Sequence, residues 1–468
     1  MVFSSLFFLF FYFVLFLGLY FGLPQKCRNW VLLVFSLVFY AWGEPVYVFL
    51  MLGMTFSDYC LGLLMAKNDA RPGRRKVFLI LSVVIDLSCL AFFKYAGFIA
   101  GNFGMLIPSN AFFRKIALPI GISFFTFQTM SYTIDLYKRE VEVERNYGEY
   151  LMYVSMFPQL IAGPIVRYKT VKQELHRRVI TWDKAVDGGL RFIYGLLKKV
   201  LLANRLGMLW DEAKAAASLS TGFAWVGAVT FTLQLYLDFS AYSDMAIGLG
   251  QILGFNFNEN FKYPLSADSV TDFWRKWHIS LSSWFRDYVY IPLGGNRRGV
   301  PRQILNLAIV WTLTGLWHGA SWNYVIWGVY YGVLLCLEKF VYGKYLEKAP
   351  KLLRHLYLLF IVVVGFTVFA IEDFGRLSAY LGAMFGINAA PAAGNALFYL
   401  QNYGFVLAAS AIVSLPVFPA LKSRFEGLKA GTRKVLGTVY ACVVGLLFVV
   451  AASYMVADTY NPFLYFRF

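Results

Sequence analysis

The sequence predicts an all-α, polytopic integral membrane protein, and three observations carry that reading. Of 468 residues, 59% are hydrophobic and 15% charged, whereas soluble domains carry roughly 25% charged residues. So large an apolar surplus exceeds what a water-soluble core can bury. The apolar residues also fall into runs of about 20, the length that crosses a bilayer as a helix. Finally, the basic residues behind the formal net charge of +17 cluster in short segments between those runs. On a soluble chain that charge would point to nucleic acid. Here it reads as cytoplasmic anchors and contacts to membrane lipid head groups, with no nucleic-acid partner. A single membrane-embedded domain is expected over 1–468.

Taken in order, the runs predict spans near 3–22, 30–43, 45–66, 77–100, 116–137, 188–209, 223–254, 304–318, 322–340, 356–371, 403–420 and 435–456. The segments 30–43 and 304–318 are short, and are expected to be tilted, broken or re-entrant. The amino-terminal MVFSSLFFLF lacks a basic region and is followed by no small-residue cleavage site, so no cleaved leader is expected. The first positive charges, Lys26 and Arg28, follow the first run, which puts the amino terminus outside. Alternating spans from that start place three basic segments inside: 67–76, 262–302 and 421–434. The same count puts 458–468 outside, with Arg114 and Lys115 as exceptions to the charge rule.

Two regions depart from simple spans. Residues 149–166 end in PQLIAGPIV and hold Pro158, Gly163 and Pro164. Non-helical backbone at membrane depth survives only where protein or a water-filled cavity surrounds it, so a re-entrant element is expected. Residues 266–302 form a cytoplasmic amphipathic region. Within it, 266–290 interleaves Trp274, Trp277, Trp284 and Phe285 with Arg275, Lys276 and Arg286, the pattern of one or two helices at the inner surface. The five cysteines, Cys27, Cys60, Cys89, Cys336 and Cys442, form no CxxC pair. They argue against a disulfide framework or a metal site. No strong internal repeat appears, which weighs against transporters built from duplicated halves.

Histidine is scarce: His176, His278, His318 and His355. An ionisable group at membrane depth is costly and faces a cavity or a partner. His318, in TGLWHGASWNY, and His278, in FWRKWHISLSSWF, are the two in such settings. Neutral imidazole can take a proton from a hydroxyl near pH 7; the alternative is a purely structural hydrogen bond at a helix end. His176 lies among Lys172, Arg177 and Arg178, as on a solvated face, and His355 reads as an interfacial anchor. Among carboxylates in apolar runs, Asp238 and Asp244 stand about 120° apart around a helix. They fit a structural polar network, and Asp238 and Asn323 are carried as candidates to support a histidine through hydrogen bonds.

These stretches resemble the membrane-bound O-acyltransferases, in the bacterial branch of alginate O-acetylases and peptidoglycan O-acetyltransferases. The resemblance is carried by LPIGISFFTFQTMSY at 118–132, FPQLIAGPIVR at 157–167, QLYLDFSAYSDMAIGLG at 234–250, FWRKWHISLSSWFRDYVYIPLGGNRRG at 273–299 and GLWHGASWNYVIWG at 315–328. It implies His318 as the catalytic histidine and His278 as a second signature histidine. It also implies a ring of about 11–12 helices, with re-entrant and amphipathic helices, around a central catalytic tunnel. The acyl donor would enter from the cytoplasm and the acceptor from outside. Acetyl-coenzyme A, or another acyl carrier, is the implied donor substrate, with no tightly bound cofactor and no metal. Arg297, Arg298 and Arg302 are candidate donor-binding residues, against the plainer reading of anchoring charges. A periplasmic O-acetyltransferase partner is implied, as is a bacterial inner-membrane location with both termini periplasmic.

The carboxyl-terminal 457–468 segment ends in YNPFLYFRF. An aromatic interfacial belt is one reading. The other comes from a resemblance to the aromatic tail of a small partner in teichoic-acid D-alanylation, which implies Tyr465 as an acyl relay. Its phenol, of pKa about 10, needs a base such as His318. The remaining readings are a glycan or lipid transporter or flippase, a lipid or protein acyltransferase of the same family, and a non-catalytic scaffold.

Overall fold

A computed structural model describes residues 1–102, 117–216, 218–387, 389–390, 395–457 and 463–464. Arg114, Lys115, Tyr465 and most of the segment 458–468 lie outside the described residues. Among those described, the chain is helical without a strand. It groups into two compact units: Met1–Phe192 with Ser243–Glu259, and Ile193–Tyr242 with Asn260–Leu464.

The first unit contains α1 (Phe13–Gly22), α2 (Arg28–Gly43), α3 (Tyr47–Lys67), α4 (Pro72–Asn102), α5 (Ile122–Tyr137), α6 (Tyr147–Ser155), α7 (Tyr168–His176) and most of α8 (Trp182–Leu197). Its core includes a cluster of aromatic rings, with Phe3, Phe8, Phe16 and Phe39 around Phe157. Polar groups on the long apolar helices pair with one another, as burial demands. Ser82 donates to Asp58 at 2.6 Å and Thr129 to Asp86 at 2.9 Å. Arg191 joins Asp244 at 2.9 Å and Glu259 at 2.6 Å. The segment expected to be re-entrant ends in non-helical backbone enclosed by protein. Asn146 caps α6 by accepting from the Gly148 and Glu149 amides, and the helix stops at Ser155. The backbone that follows is non-helical and buried through Val166. It is held by protein groups: the Phe157 amide donates to Ser36 at 3.1 Å, and Tyr153 donates to the Val166 carbonyl at 3.0 Å.

The second unit begins with the last turn of α8, which continues through a π-helical stretch, Lys198–Ala203, into α9 (Asn204–Ala215). Helix α10 (Thr221–Leu253) is 33 residues long, about 50 Å at 1.5 Å per residue, and contributes its first part, to Tyr242, to this unit. Then come α11 (Val270–Lys276), α12 (Ile279–Phe285), α13 (Val300–His318), α14 (Trp322–Leu337), α15 (Gly343–Leu346), α16 (Lys351–Ala370), α17 (Phe374–Met384), α18 (Asn395–Val413), α19 (Val417–Glu426) and α20 (Ala430–Ala457). Among the described residues, six stretches are long and apolar enough to cross a membrane: α3, α4, 322–346 beginning with α14, α16, 396–413 within α18, and α20. The protein is therefore a multi-pass membrane protein.

Two expectations need correction. The span near 403–420 instead forms as α18, ending at Val413, with a separate α19 starting at Val417. Pro416 lies in the break, and the residue before a proline is disfavoured in helical conformation; the proline is a stop signal present in the sequence that the expected span ran through. Helix α17 was not expected. Asp373 caps it by accepting from the Arg376 amide at 2.7 Å, and its apolar positions Leu377 and Tyr380 are buried.

Candidate active site

Both signature histidines lie in the second unit, and local sequence explains how each is held. The expected amphipathic region forms two helices, α11 and α12, broken at His278. Ser269 caps α11 by accepting from the Asp272 amide at 3.1 Å. His278 then adopts a left-handed backbone, with φ at 43°, which turns the chain into α12. Asn260 braces this turn. Its carbonyl accepts from the Ile279 amide at 2.9 Å. Its side-chain oxygen accepts from the Ser280 amide at 3.2 Å and the Ser280 hydroxyl at 2.9 Å. The same oxygen lies 3.2 Å from Nδ1 of His278. An amide oxygen cannot donate, so Nδ1 carries the proton and the basic lone pair falls on Nε2. The ring is packed by Phe239 at 4.7 Å, edge to face. His278 lies outside the membrane-spanning candidates, and burial pushes its imidazole down to about 3. It is neutral at physiological pH.

His318 is the last residue of α13 and is 5% exposed. Its position depends on the close antiparallel contact of α13 with α14. A Cβ on Gly315 would lie 2.3 Å from the Tyr324 carbonyl oxygen, and one on Gly328 would lie 2.3 Å from that of Trp311. Only glycine permits that approach from either side. The His318 ring meets Trp327 at 5.0 Å and Phe369 at 5.2 Å, each edge to face. Asn323, on α14, donates to the Phe369 carbonyl at 2.9 Å. It thereby fixes the end of α16 that carries Phe369, supporting His318 through a ring rather than by a direct bond. Trp317 contacts both imidazoles, at 5.7 Å from His278 and 5.1 Å from His318.

The two histidines line one cavity of about 520 Å³, walled by Trp274, Trp277 and Trp311 with Arg275 and Arg286. A second, polar cavity of about 670 Å³ is lined by Asp272, Glu338, Lys339, Lys344 and Arg354. Thr271, Arg275, Leu307 and Leu335 line both. An aromatic chamber with two imidazoles thus adjoins a charged antechamber.

The other candidates fall elsewhere. Arg297 and Arg298 are exposed, and Arg302 donates to the Leu293 carbonyl at 3.2 Å; none of the three lines either cavity. Asp238 is bonded to Lys199 at 2.6 Å and accepts from the Leu464 amide at 2.7 Å. His176 pairs with Glu149 at 2.8 Å, and Nδ1 of His355 meets the Ala267 carbonyl at 2.9 Å. Tyr465 is outside the described residues. Sequence reasoning missed Asn260, Arg275 as the charged residue common to both cavities, and Lys199. For Lys199 there was a signal, two lysines inside an expected span. For Asn260 there was none, since its role depends on a turn 18 residues away.

His278, His318 and the aromatic chamber they line all fall within the stretch of chain that a family model matches. The chain belongs to the membrane-bound O-acyltransferase family, whose model matches residues 121–372, and is an O-acyltransferase. It is 38% identical to a "Probable alginate O-acetylase AlgI" of Pseudomonas putida over the whole of both chains. It is 32% identical to a "Peptidoglycan O-acetyltransferase" of Helicobacter pylori over 80% of this chain and 77% of that one. It is also 27% identical to a "Teichoic acid D-alanyltransferase" of Streptococcus thermophilus, over 47% of this chain and 56% of that protein.

Proposed function

We propose that this chain moves acetyl groups from a cytoplasmic donor, acetyl-coenzyme A, across the bacterial inner membrane for O-acetylation of an exported cell-envelope polysaccharide. The observation that carries the reading is the single cavity lined by His278 and His318. The polysaccharide acceptor is supported by relatives named for alginate and peptidoglycan. In this reading the thioester arm enters past Arg275, and the carrier's phosphates meet Lys339 and Lys344 in an antechamber whose lining also holds Asp268, Asp272, Glu338 and Glu347.

His318 acts as general base on the first acceptor hydroxyl. That acceptor is Tyr465, on the outer side. His318 takes the phenolic proton, the oxygen attacks the thioester carbonyl, the carbon–sulfur bond breaks, and the thiolate leaves with that proton as free thiol. A polysaccharide hydroxyl then displaces the tyrosine from its acetyl ester, with a periplasmic transferase partner completing delivery. His278, neutral with its lone pair on Nε2, supplies a second acceptor to the chamber.

The test is acetyl transfer from labelled donor in purified membranes. A positioned general base contributes typically 10²–10⁴-fold, so His318→Ala should lose at least a hundredfold in rate while the protein remains folded. Full transfer by that variant would refute the mechanism. Mass spectrometry of the terminal peptide during turnover should find acetyl on Tyr465.

A further inference from the structure

The least expected charges in the second unit are two adjacent lysines. Lys198 and Lys199 begin the π-helical stretch, and both are buried. Such stretches re-aim side chains and recur at functional sites, and ionisable groups at membrane depth are costly unless paired or used. Lys198 donates to the Ser240 hydroxyl at 2.9 Å. Lys199 meets Asp238 at 2.6 Å, with each side chain 3% exposed. The other carboxylate oxygen of Asp238 accepts the backbone N–H of Leu464 at 2.7 Å. The Lys199 ammonium lies 4.5 Å from the ring centroid of Phe463. That ring is itself buried and meets Tyr242 edge to face at 5.0 Å. Both members of the ion pair therefore spend a contact on the tail, one on a backbone amide and one on an aromatic face.

We propose that the Lys199–Asp238 pair is a socket that seats the carboxyl-terminal tail for acyl transfer, making Lys199 and Asp238 positioning residues; the transfer role rests on the proposed part of the tail in the reaction. The socket recognises an aromatic residue followed by an unprotected backbone amide. The amide contact is blind to the side chain at 464, while the ring contact selects for Phe463. The next residue of α10, Phe239, packs its ring on His278. One turn of one helix thus anchors the tail and walls a signature histidine. An ion pair serving only the bundle would require nothing from residues 463 and 464.

The test uses the full-length chain in membranes, carrying Tyr242→benzoylphenylalanine so that light cross-links position 242 to the tail. Three variants are compared in that background. Lys199→Met with Asp238→Leu removes the pair while keeping bulk. Lys199→Asp with Asp238→Lys restores a pair in reverse but gives Leu464 no acceptor. Leu464→Pro deletes the amide donor and leaves the pair untouched. Cross-linking to the tail should fall at least tenfold in all three, and acetyl transfer should fall with it. Wild-type cross-linking and transfer in the reversed pair would mark a purely structural bridge and overturn the proposal, as would unchanged cross-linking in Leu464→Pro. Lost cross-linking with full transfer would support the socket and overturn the tail's part in the chemistry.

Discussion

Asn260 decides which nitrogen of His278 is basic. Its side-chain oxygen already takes two donations from Ser280, so its orientation is fixed and the Nδ1 proton goes with it. Asn260→Leu should leave the Ser280 groups and Nδ1 without that acceptor. Leaving buried donors unsatisfied costs about 1–3 kcal/mol each. The expected outcome is a lowered thermal midpoint together with a transfer rate reduced by tenfold or more, measured on the same membranes. Asn260→Asp, which keeps an acceptor, should recover part of both. At this scale the sequence was informative where a residue type was rare. His318 and His278 stood out because apolar runs contain few imidazoles. Asp238 was visible as a buried carboxylate and Lys199 as a lysine in an apolar run, but their pairing was not, because they are 39 residues apart along the chain. Arg297 and Arg298 drew notice by charge, whereas Arg275, an equally ordinary arginine by sequence, reaches the cavities.

Two helices with glycine at their crossing place His318. Gly315→Ala would force its new methyl group against the Tyr324 carbonyl. Overpacking of this kind costs typically about 1–3 kcal/mol, and here the obstacle is backbone, which yields little. Gly315→Ala should therefore lower the unfolding temperature in detergent and also reduce transfer, while Gly404→Ala, on α18 with open space at its Cβ, should change neither. Wild-type behaviour of Gly315→Ala would show that the contact between α13 and α14 is looser than described. Element existence was legible because apolar length is a coarse signal. Element ends were less so. The stop at Pro416 was legible as a proline within the apolar run, whereas the break at His278 depends on a bracing residue that no periodicity reveals.

For the whole molecule, composition alone carried the membrane assignment, and the two motif contexts carried the family. The cavities were beyond it, since Thr271, Leu307 and Leu335 meet only when α11, α13 and α14 pack. Their joining makes a prediction about substrate flow. Arg275 lines both chambers, so Arg275→Glu places a negative charge on the route proposed for the anionic donor. The apparent KM for acetyl-coenzyme A should rise several-fold with kcat little changed, and the effect should shrink at high salt because an exposed charge is screened. A selective fall in kcat at unchanged KM would instead place Arg275 in the reacting assembly. The salt dependence makes that distinction available without a substrate-bound structure.

The left-handed backbone at His278 bears on how this enzyme should be dissected. Few residue types besides glycine accept that conformation readily, histidine and asparagine among them. A β-branched replacement would therefore disturb the turn into α12 as well as delete the imidazole, and its phenotype would mix geometry with chemistry. His278→Asn keeps the turn and removes the imidazole, so it is the substitution from which the histidine's own part can be read.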